Sequence, residues 1–393
     1  MTQASNEVTT VLIVGGGLGG LALAQLLLQD SSPSLKVMLF ERDVDEDVRD
    51  QGYYITLNPM GIDVLKRINV LKDLLMDPTT VSYNQCQLKL VDKRLNKIME
   101  MSAGELKIID RAVLRRNLLK NIDICWNKRF VSYTILDDGI EAYFHDGSSV
   151  KGTLLVGCDG AQSLVRAQLV PNLHREDTGV VIVAGTLELN EQCVQTRQLI
   201  QNSLVQILGD HGHALFLISV GQSWFWSLSW ASTDTTQSNL SMPELLDKFR
   251  SNFNNEEIVR LMESSLLSTR LTPLRLYSLP RLRVNPFSNN PRVTLMGDAA
   301  HLMTIQRGMG ANTTFADALD LVDVMRRGIT PSLLGDYEEK MFKRGFQAVQ
   351  DSFNNTRMIH LSGRQGMMRD YLLWCLRYTM TFKNLIWTAF SRG

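Results

Sequence analysis

The sequence lacks a cysteine pattern, a net charge and an apolar run of membrane length, and each absence removes a class of function. Its five cysteines, Cys86, Cys125, Cys158, Cys193 and Cys375, are odd in number, scattered and without Cys-x-x-Cys spacing. That excludes a disulfide scaffold, a zinc centre and a dithiol redox motif, predicts no bound metal, and suits reduced thiols in a cytoplasmic setting. Lys and Arg number 41 and so do Asp and Glu, giving a formal net charge of +0. No global field would draw a polyanion to the surface, so nucleic acid is not an expected partner. The first ten residues are polar and read as lacking a secretory signal. No stretch reaches about 18 uninterrupted apolar residues. The nearest, residues 371–390, is broken by Arg377 and Lys383; it reads either as a helix docked on the body or as a peripheral helix on a membrane surface. Internal repeats and low-complexity linkers are also missing.

What is present is a 393-residue chain, 44% hydrophobic and 21% charged, long enough for two or three interlocked domains with a large core. Residues 11–14 are a short aliphatic run, followed by a glycine cluster and the uniformly apolar, helix-forming stretch 21–28. Residues 36–40 read as a second buried strand ending at Glu41, which completes a strand-helix-strand unit. Helical spacing returns over 62–75 and over 110–120, the latter carrying Arg111, Arg115 and Arg116. Residues 140–144 and 153–156 flank an Asp146-Gly147 turn, and the last strand returns to the parallel sheet. From 179 to 277 the pattern turns to strands, clearest over 180–189, 204–208, 214–220 and 224–230. Trp224, Trp226 and Trp230 share parity there, so an extended chain points all three to one face, into a core or over a ligand. A buried strand over 293–296 and a long helix over 312–325 then resume the first pattern.

Three corners carry the chemistry. Gly15-x-Gly17-x-x-Gly20 follows a strand and opens a helix, with Leu18 and Gly19 inside the motif. Glycines there permit a tight turn and close backbone approach, so a pyrophosphate can rest on the helix amino terminus. Glu41 lies about twenty residues further on, where a carboxylate accepts ribose hydroxyls. With strand, helix and acid in register the ligand is a dinucleotide. The second corner is Asp159-Gly160-Ala161-Gln162-Ser163-Leu164-Val165-Arg166, again after an apolar strand. The third, Met296-Gly297-Asp298-Ala299-Ala300-His301, leads into Arg307-Gly308-Met309-Gly310-Ala311-Asn312 before a helix. A carboxylate at Asp298 suits ribityl hydroxyls, and the amides of Gly308, Gly310, Ala311 and Asn312 suit a flavin pyrimidine oxygen. Simple nicotinamide dehydrogenases need neither later corner.

Together the three corners resemble the class A flavoprotein monooxygenases, the family of para-hydroxybenzoate hydroxylase, salicylate hydroxylase and many fungal secondary-metabolite hydroxylases and epoxidases. The likeness runs from residue 11 to about residue 325. It implies an α/β fold: a Rossmann-like FAD-binding domain of glutathione-reductase type, an inserted mixed β-sheet substrate domain, and a C-terminal helical segment. The expected boundaries are 1–178 for the first part of the FAD domain, with a substrate-side segment at about 76–108, then 179–280 for the substrate domain. The FAD domain resumes over 281–335 and helices close the chain over 336–393.

The resemblance also implies roles. Glu41 and Arg42 would hold the adenosine side of FAD, Arg111 the pyrophosphate region, and Asp298 the ribityl and pyrophosphate. Arg49 matches a position where members place a basic residue beside the flavin; for Arg49 and Arg111 a surface ion pair is the alternative. Asp159 is usually structural, with a part in cofactor and NADPH handling. Members commonly carry proline in a His-x-x-x-Pro run where this chain has His301 and Ile305. Loss of the fixed φ alters the loop beside the flavin, so Gln306 and Arg307 become candidates for the substrate side, and His301 reads as structural. His211 and His213 are weak candidates for a base. The implied activity uses NADPH or NADH as transient reductant and O2, through a flavin C4a-hydroperoxide, to hydroxylate or epoxidise an aromatic, polyketide, indole or terpenoid small molecule. The alternatives are a flavin-dependent reductase of the same fold and a non-catalytic FAD-binding protein, with the chain a monomer or homodimer.

Overall fold

The computed structural model describes residues 8–29, 35–48, 53–188, 194–221, 223–234, 241–253, 255–266, 273–287, 290–373 and 375. In chain order the opening elements are β1 (Thr9–Val14), α1 (Leu18–Leu28), β2 (Leu35–Phe40), β3 (Tyr54–Leu57), α2 (Pro59–Arg67) and α3 (Leu71–Met76). The expected single helix over 62–75 is thus two, because Asn69 takes a left-handed φ of 59° that ends the first. Next come β4 (Val81–Asp92), β5 (Lys97–Asp110), α4 (Arg111–Leu119), β6 (Ile124–Cys125), β7 (Phe130–Ile135), β8 (Ile140–Phe144), β9 (Ser149–Gly152), β10 (Leu154–Gly157) and α5 (Leu164–Leu169). They are followed by β11 (Glu176–Glu188), α6 (Val194–Ile200), β12 (Ser203–Leu208), β13 (His213–Val220), β14 (Ser223–Ala231), α7 (Met242–Asn252) and α8 (Glu256–Leu266). The last elements are β15 (Leu274–Ser278), β16 (Val293–Leu295), α9 (Asp298–His301), α10 (Gly310–Met325) and α11 (Pro331–Ile359).

The chain divides into two compact units. The first comprises residues 1–80, 107–176 and 277–353. Its sheet has the order β16-β10-β1-β2-β6, and all four pairings between these strands are parallel. A three-stranded antiparallel sheet, β7-β8-β9, accompanies it. Parallel strands are covered on both faces, so they read as continuous apolar runs; Val11, Leu12, Ile13, Leu154, Leu155 and Val156 are all fully buried. Helix α1 is apolar nearly all round and correspondingly buried on most of its surface.

The second unit comprises residues 81–106, 177–276 and 354–393. Its strands run in the order β15-β11-β14-β13-β12-β4-β5. Trp224, Trp226 and Trp230 join Val183, Leu217, Val205 and the α7 residues Phe249 and Leu245 in one buried cluster. The shared tryptophan parity therefore serves a core beneath α7 and α8. The alternate residues form the other face of the sheet. Cross-strand register sets them in two rows: Ala184, Ser227, Phe216, Gln206 and Leu90, then Thr186, Phe225, Ile218, Leu204 and Leu88. Neither row holds a charged side chain.

Candidate functional site

The glycine corner is built by close approach. Gly15 has φ +112°, and a Cβ there would stand 2.4 Å from the Cys158 carbonyl oxygen; one on Gly20 would stand 2.0 Å from the Gly15 carbonyl oxygen. No other residue fits either place. Gly19 lies against the Thr314 side chain of α10, where a Cβ would meet it at 2.6 Å, whereas a Cβ on Gly17 would meet nothing within 4 Å. The chain is thus tight on the protein side and open on the other. Gly17 caps α1 with extended backbone, buried Leu18 starts the helix, and no acidic side chain lies in its first turn. The unpaired amides and the dipole at that end favour an anion.

Glu41 follows β2 and is only 7% exposed. Its Oε2 accepts the Gly16 amide at 2.7 Å and its Oε1 the Asp43 amide at 3.1 Å, which locks the carboxylate beside the glycines. Arg42 is exposed. Asp110 caps α4 by accepting the amides of Ala112 and Val113 at 2.7 and 3.1 Å. This sets Arg111 at the head of the helix, its guanidinium 5.3 Å from the centroid of the Tyr53 ring. Burial pushes the Tyr53 hydroxyl up; the Arg111 charge pulls it down and the Asp298 carboxylate pushes it up again, so all three side chains are neighbours. Arg49 lies outside the described residues.

The second corner is held from within. Asp159 Oδ2 accepts the amides of Leu164 and Val165 at 2.8 and 3.2 Å, and Ser163 Oγ accepts the Arg166 amide at 2.9 Å, so both cap α5. Burial raises the Asp159 carboxyl above its usual range. Arg166 is buried, and its guanidinium donates to the carbonyls of Asp298, Ala299 and Ala161 at 3.2, 2.9 and 2.8 Å. It bolts the second corner to the third.

At the third corner Gly297 has φ +62°, and Asp298 opens α9. The Asp298 side chain keeps solvent-accessible surface, yet protein surrounds it closely enough for burial to raise its carboxyl, opposed by His301, Arg111 and Arg166. Accessible area and crowding coexist only in a recess, and because water reaches the carboxylate the upward push is weaker than full enclosure would give. A Cβ on Gly310 would stand 3.9 Å from Asp298 Oδ1, so the start of α10 faces the same recess. Gly308 adopts a left-handed φ of 61° just before it. Asn312 spends its side chain on the protein: Nδ2 donates to Thr56 and Gly308 carbonyls at 2.9 and 2.8 Å, and Oδ1 accepts the Asn58 amide at 2.9 Å. Its backbone amide, with those of Gly310 and Ala311, belongs to the unpaired first turn of α10.

Ile305, Gln306 and Arg307 form one 3-10 turn. Ile305 is exposed, Gln306 half-buried, and Arg307 pairs with Asp351 at 2.7 Å. His301 is fully buried against Asp317, Nε2 to Oδ2 2.6 Å, as a structural histidine would be. In the second unit His211 contacts Asn252 through Nδ1 at 3.1 Å, and His213 stacks on Trp230 and lies under burial that drops its imidazole to about 4. The residues that sequence reasoning missed are Tyr53 and Asp317: one lies in no recognisable motif, the other takes partners 16 to 27 residues away along the chain.

A family described as FAD binding domain matches residues 8–352. The chain belongs to that family. The FAD-dependent monooxygenase thnD of Trichoderma harzianum is 30% identical over 385 residues, spanning 86% of this chain and 91% of that protein. The FAD-dependent monooxygenase cctM of Talaromyces islandicus is 28% identical over 389 residues, spanning 91% and 94%. HpxO of Klebsiella pneumoniae, solved with FAD and uric acid, shares the fold at TM-score 0.79 with 20% identity, covering 94% of this chain and 93% of that one. The protein is thus an FAD-dependent monooxygenase, acting on a small molecule with O2 and with NAD(P)H as the family's reductant. Its residues fit FAD: positions that admit a phosphate without a Cβ in the way, a recessed carboxylate, and two unpaired helix starts all belong to the first unit.

Proposed function

We propose that this monooxygenase hydroxylates or epoxidises an uncharged, largely apolar substrate of aromatic, polyketide, indole or terpenoid type. FAD, when bound, would supply the redox chemistry, passing two electrons from NADPH or NADH to O2, of which one atom would enter the substrate and the other leave as water. The chain holds and orients. Amides of the first turn of α1, within the run Gly15, Gly17, Leu18, Gly19 and Gly20, take the pyrophosphate, and Arg111 adds a fixed positive charge to it. Glu41, pinned by the Gly16 and Asp43 amides, accepts ribose hydroxyls, with Arg42 beside it. Asp298 accepts ribityl hydroxyls, and the α10 start at Gly310, Ala311 and Asn312, following Gly308, donates to the pyrimidine edge of the flavin. Asp159 keeps its corner in shape and serves cofactor handling through it. Gln306 and Arg307 belong to the substrate side, as does Arg49.

The observation that carries this reading is the recess where Asp298, Arg111 and the first turn of α10 meet. The substrate class is supported by the two uncharged rows on the sheet of the second unit, in which Leu88, Leu204, Phe216 and Phe225 are half-exposed and Ser227, Thr186 and Gln206 supply the only polar groups. An apolar wall with a few neutral hydrogen-bonding groups selects uncharged ligands. Asp298→Ala is expected to leave a folded protein whose FAD affinity falls tenfold or more; full flavin occupancy, read from absorbance of the purified variant, would contradict the placement. For the activity, a screen of phenols, indoles, polyketides and terpenoids should raise NAD(P)H consumption with a product heavier by one oxygen atom. Reduction of the substrate without oxygen gain would instead identify a reductase.

A further inference from the structure

We infer that Arg115 and Trp126 form a guanidinium–indole shelf that receives the adenine of FAD, an inference that rests on the cofactor placement above. A dinucleotide laid over the carboxyl ends of a parallel sheet runs from the helix amino terminus after the first strand to the acid ending the second. In the order β16-β10-β1-β2-β6 the next strand beyond that acid is β6, and the residue that follows β6 is Trp126. The base therefore reaches the indole.

The local chain is organised to present that ring. Glu41 donates its amide to the Cys125 carbonyl at 3.0 Å, Lys128 donates to the Glu41 carbonyl at 2.8 Å, and Asn127 donates to the Asp43 carbonyl at 2.8 Å. These bonds zip the loop after β6 to the loop after β2, and Asn127 turns the chain with a left-handed φ of 56°. Arg115 stands one helical turn beyond Arg111 on α4. Its guanidinium carbon lies 5.6 Å from the centroid of the Trp126 ring. Nη1 donates to the Glu46 carbonyl at 3.0 Å and Nε makes a long contact to the Gly16 carbonyl at 3.4 Å. One side chain thus spans the glycine corner, the acid loop and the indole, and both it and Trp126 are half-buried, so each offers accessible surface. Planar guanidinium and indole faces both stack on purines. The indole holds the Arg115 guanidinium, and its accessible surface remains for a base to stack on.

The test uses the full-length protein freed of flavin, titrated calorimetrically with FAD and, by fluorescence, with FAD whose adenine is replaced by ethenoadenine. Trp126→Leu and Arg115→Ala are expected to weaken FAD about tenfold, while Trp126→Phe retains most of the affinity. Ethenoadenine emission, quenched by stacking in the wild type, should rise in Trp126→Leu at saturating ligand. If Arg115→Ala does not fold, the Trp126 pair alone decides. Wild-type affinity in Trp126→Leu, or ethenoadenine emission equal in the two proteins, overturns the inference while leaving FAD binding intact. A wild-type protein that takes up no FAD overturns the cofactor placement and the shelf with it.

Discussion

Glu338 of α11 is 1% exposed and accepts one hydrogen bond, from Thr294 Oγ1 at 2.9 Å. Burial lifts its carboxyl to about 8, far above the unfolded value of about 4.3. A group raised in the folded state contributes fully below its unfolded pKa, and that contribution is lost as pH climbs through the folded one. Glu338→Gln keeps an oxygen for Thr294 and removes the titration. Its stability relative to wild type is therefore expected to grow by about 3 kcal/mol between pH 6 and pH 9, read from denaturant melts at both values; a difference independent of pH sinks the assignment. Sequence could not flag this residue, because neighbouring Glu339 is chemically the same and only burial separates them. Asp159 and Asp298 were legible for the opposite reason, each standing beside a glycine at the end of an apolar strand, and Glu41 because it ends the apolar strand that follows the glycine motif by about twenty residues. That Arg166 binds three carbonyls across two corners was not legible, since its partners come from another part of the chain.

At the scale of elements, α10 is the keystone of the third corner. Its Asp317 is fully buried, accepts the Gly297 amide at 3.1 Å, pairs with His301 at 2.6 Å and takes the Arg344 guanidinium of α11 at 2.8 Å. Burial alone would lower the His301 imidazole, but the Asp317 charge and hydrogen bond prevail and raise it. Gly345 packs directly on that ring, where a Cβ would stand 2.4 Å away. Asp317→Ala leaves the buried His301 imidazole without its carboxylate and the Arg344 guanidinium with Asp320 alone, 2.7 Å away, and a loss of about 3 kcal/mol is expected, measured as a shifted denaturant midpoint. A loss below about 1 kcal/mol, the size of an ordinary surface change, would show that the network contributes little. Helix α1, a continuous apolar run after glycines, and strand β14, with its alternating tryptophans, could be read from the sequence because the apolar pattern matches their burial. The break between α2 and α3 could not, because a left-handed Asn69 interrupts a pattern that stays periodic on either side.

For the whole molecule, the proposed contacts to FAD all belong to one of the two units. A ligand that binds only the folded state adds stability as RT ln(1 + [L]/Kd), about 2.7 kcal/mol at a hundredfold excess over Kd. That gain is local in origin, so hydrogen exchange should report it where the amides are held. Addition of FAD is expected to slow exchange at the glycine corner, the loop after β2, the head of α4, the cap of α5 and the start of α10. Strands β11 to β14, whose amides are already bonded in their sheet, should show little change at the same FAD concentration. A substrate analogue of the proposed uncharged class should then add protection in the second unit, and a charged analogue should not. Protection by FAD centred on β11 to β14, with the glycine corner unchanged, would place the cofactor in the wrong unit and undo the assignment of all three corners together.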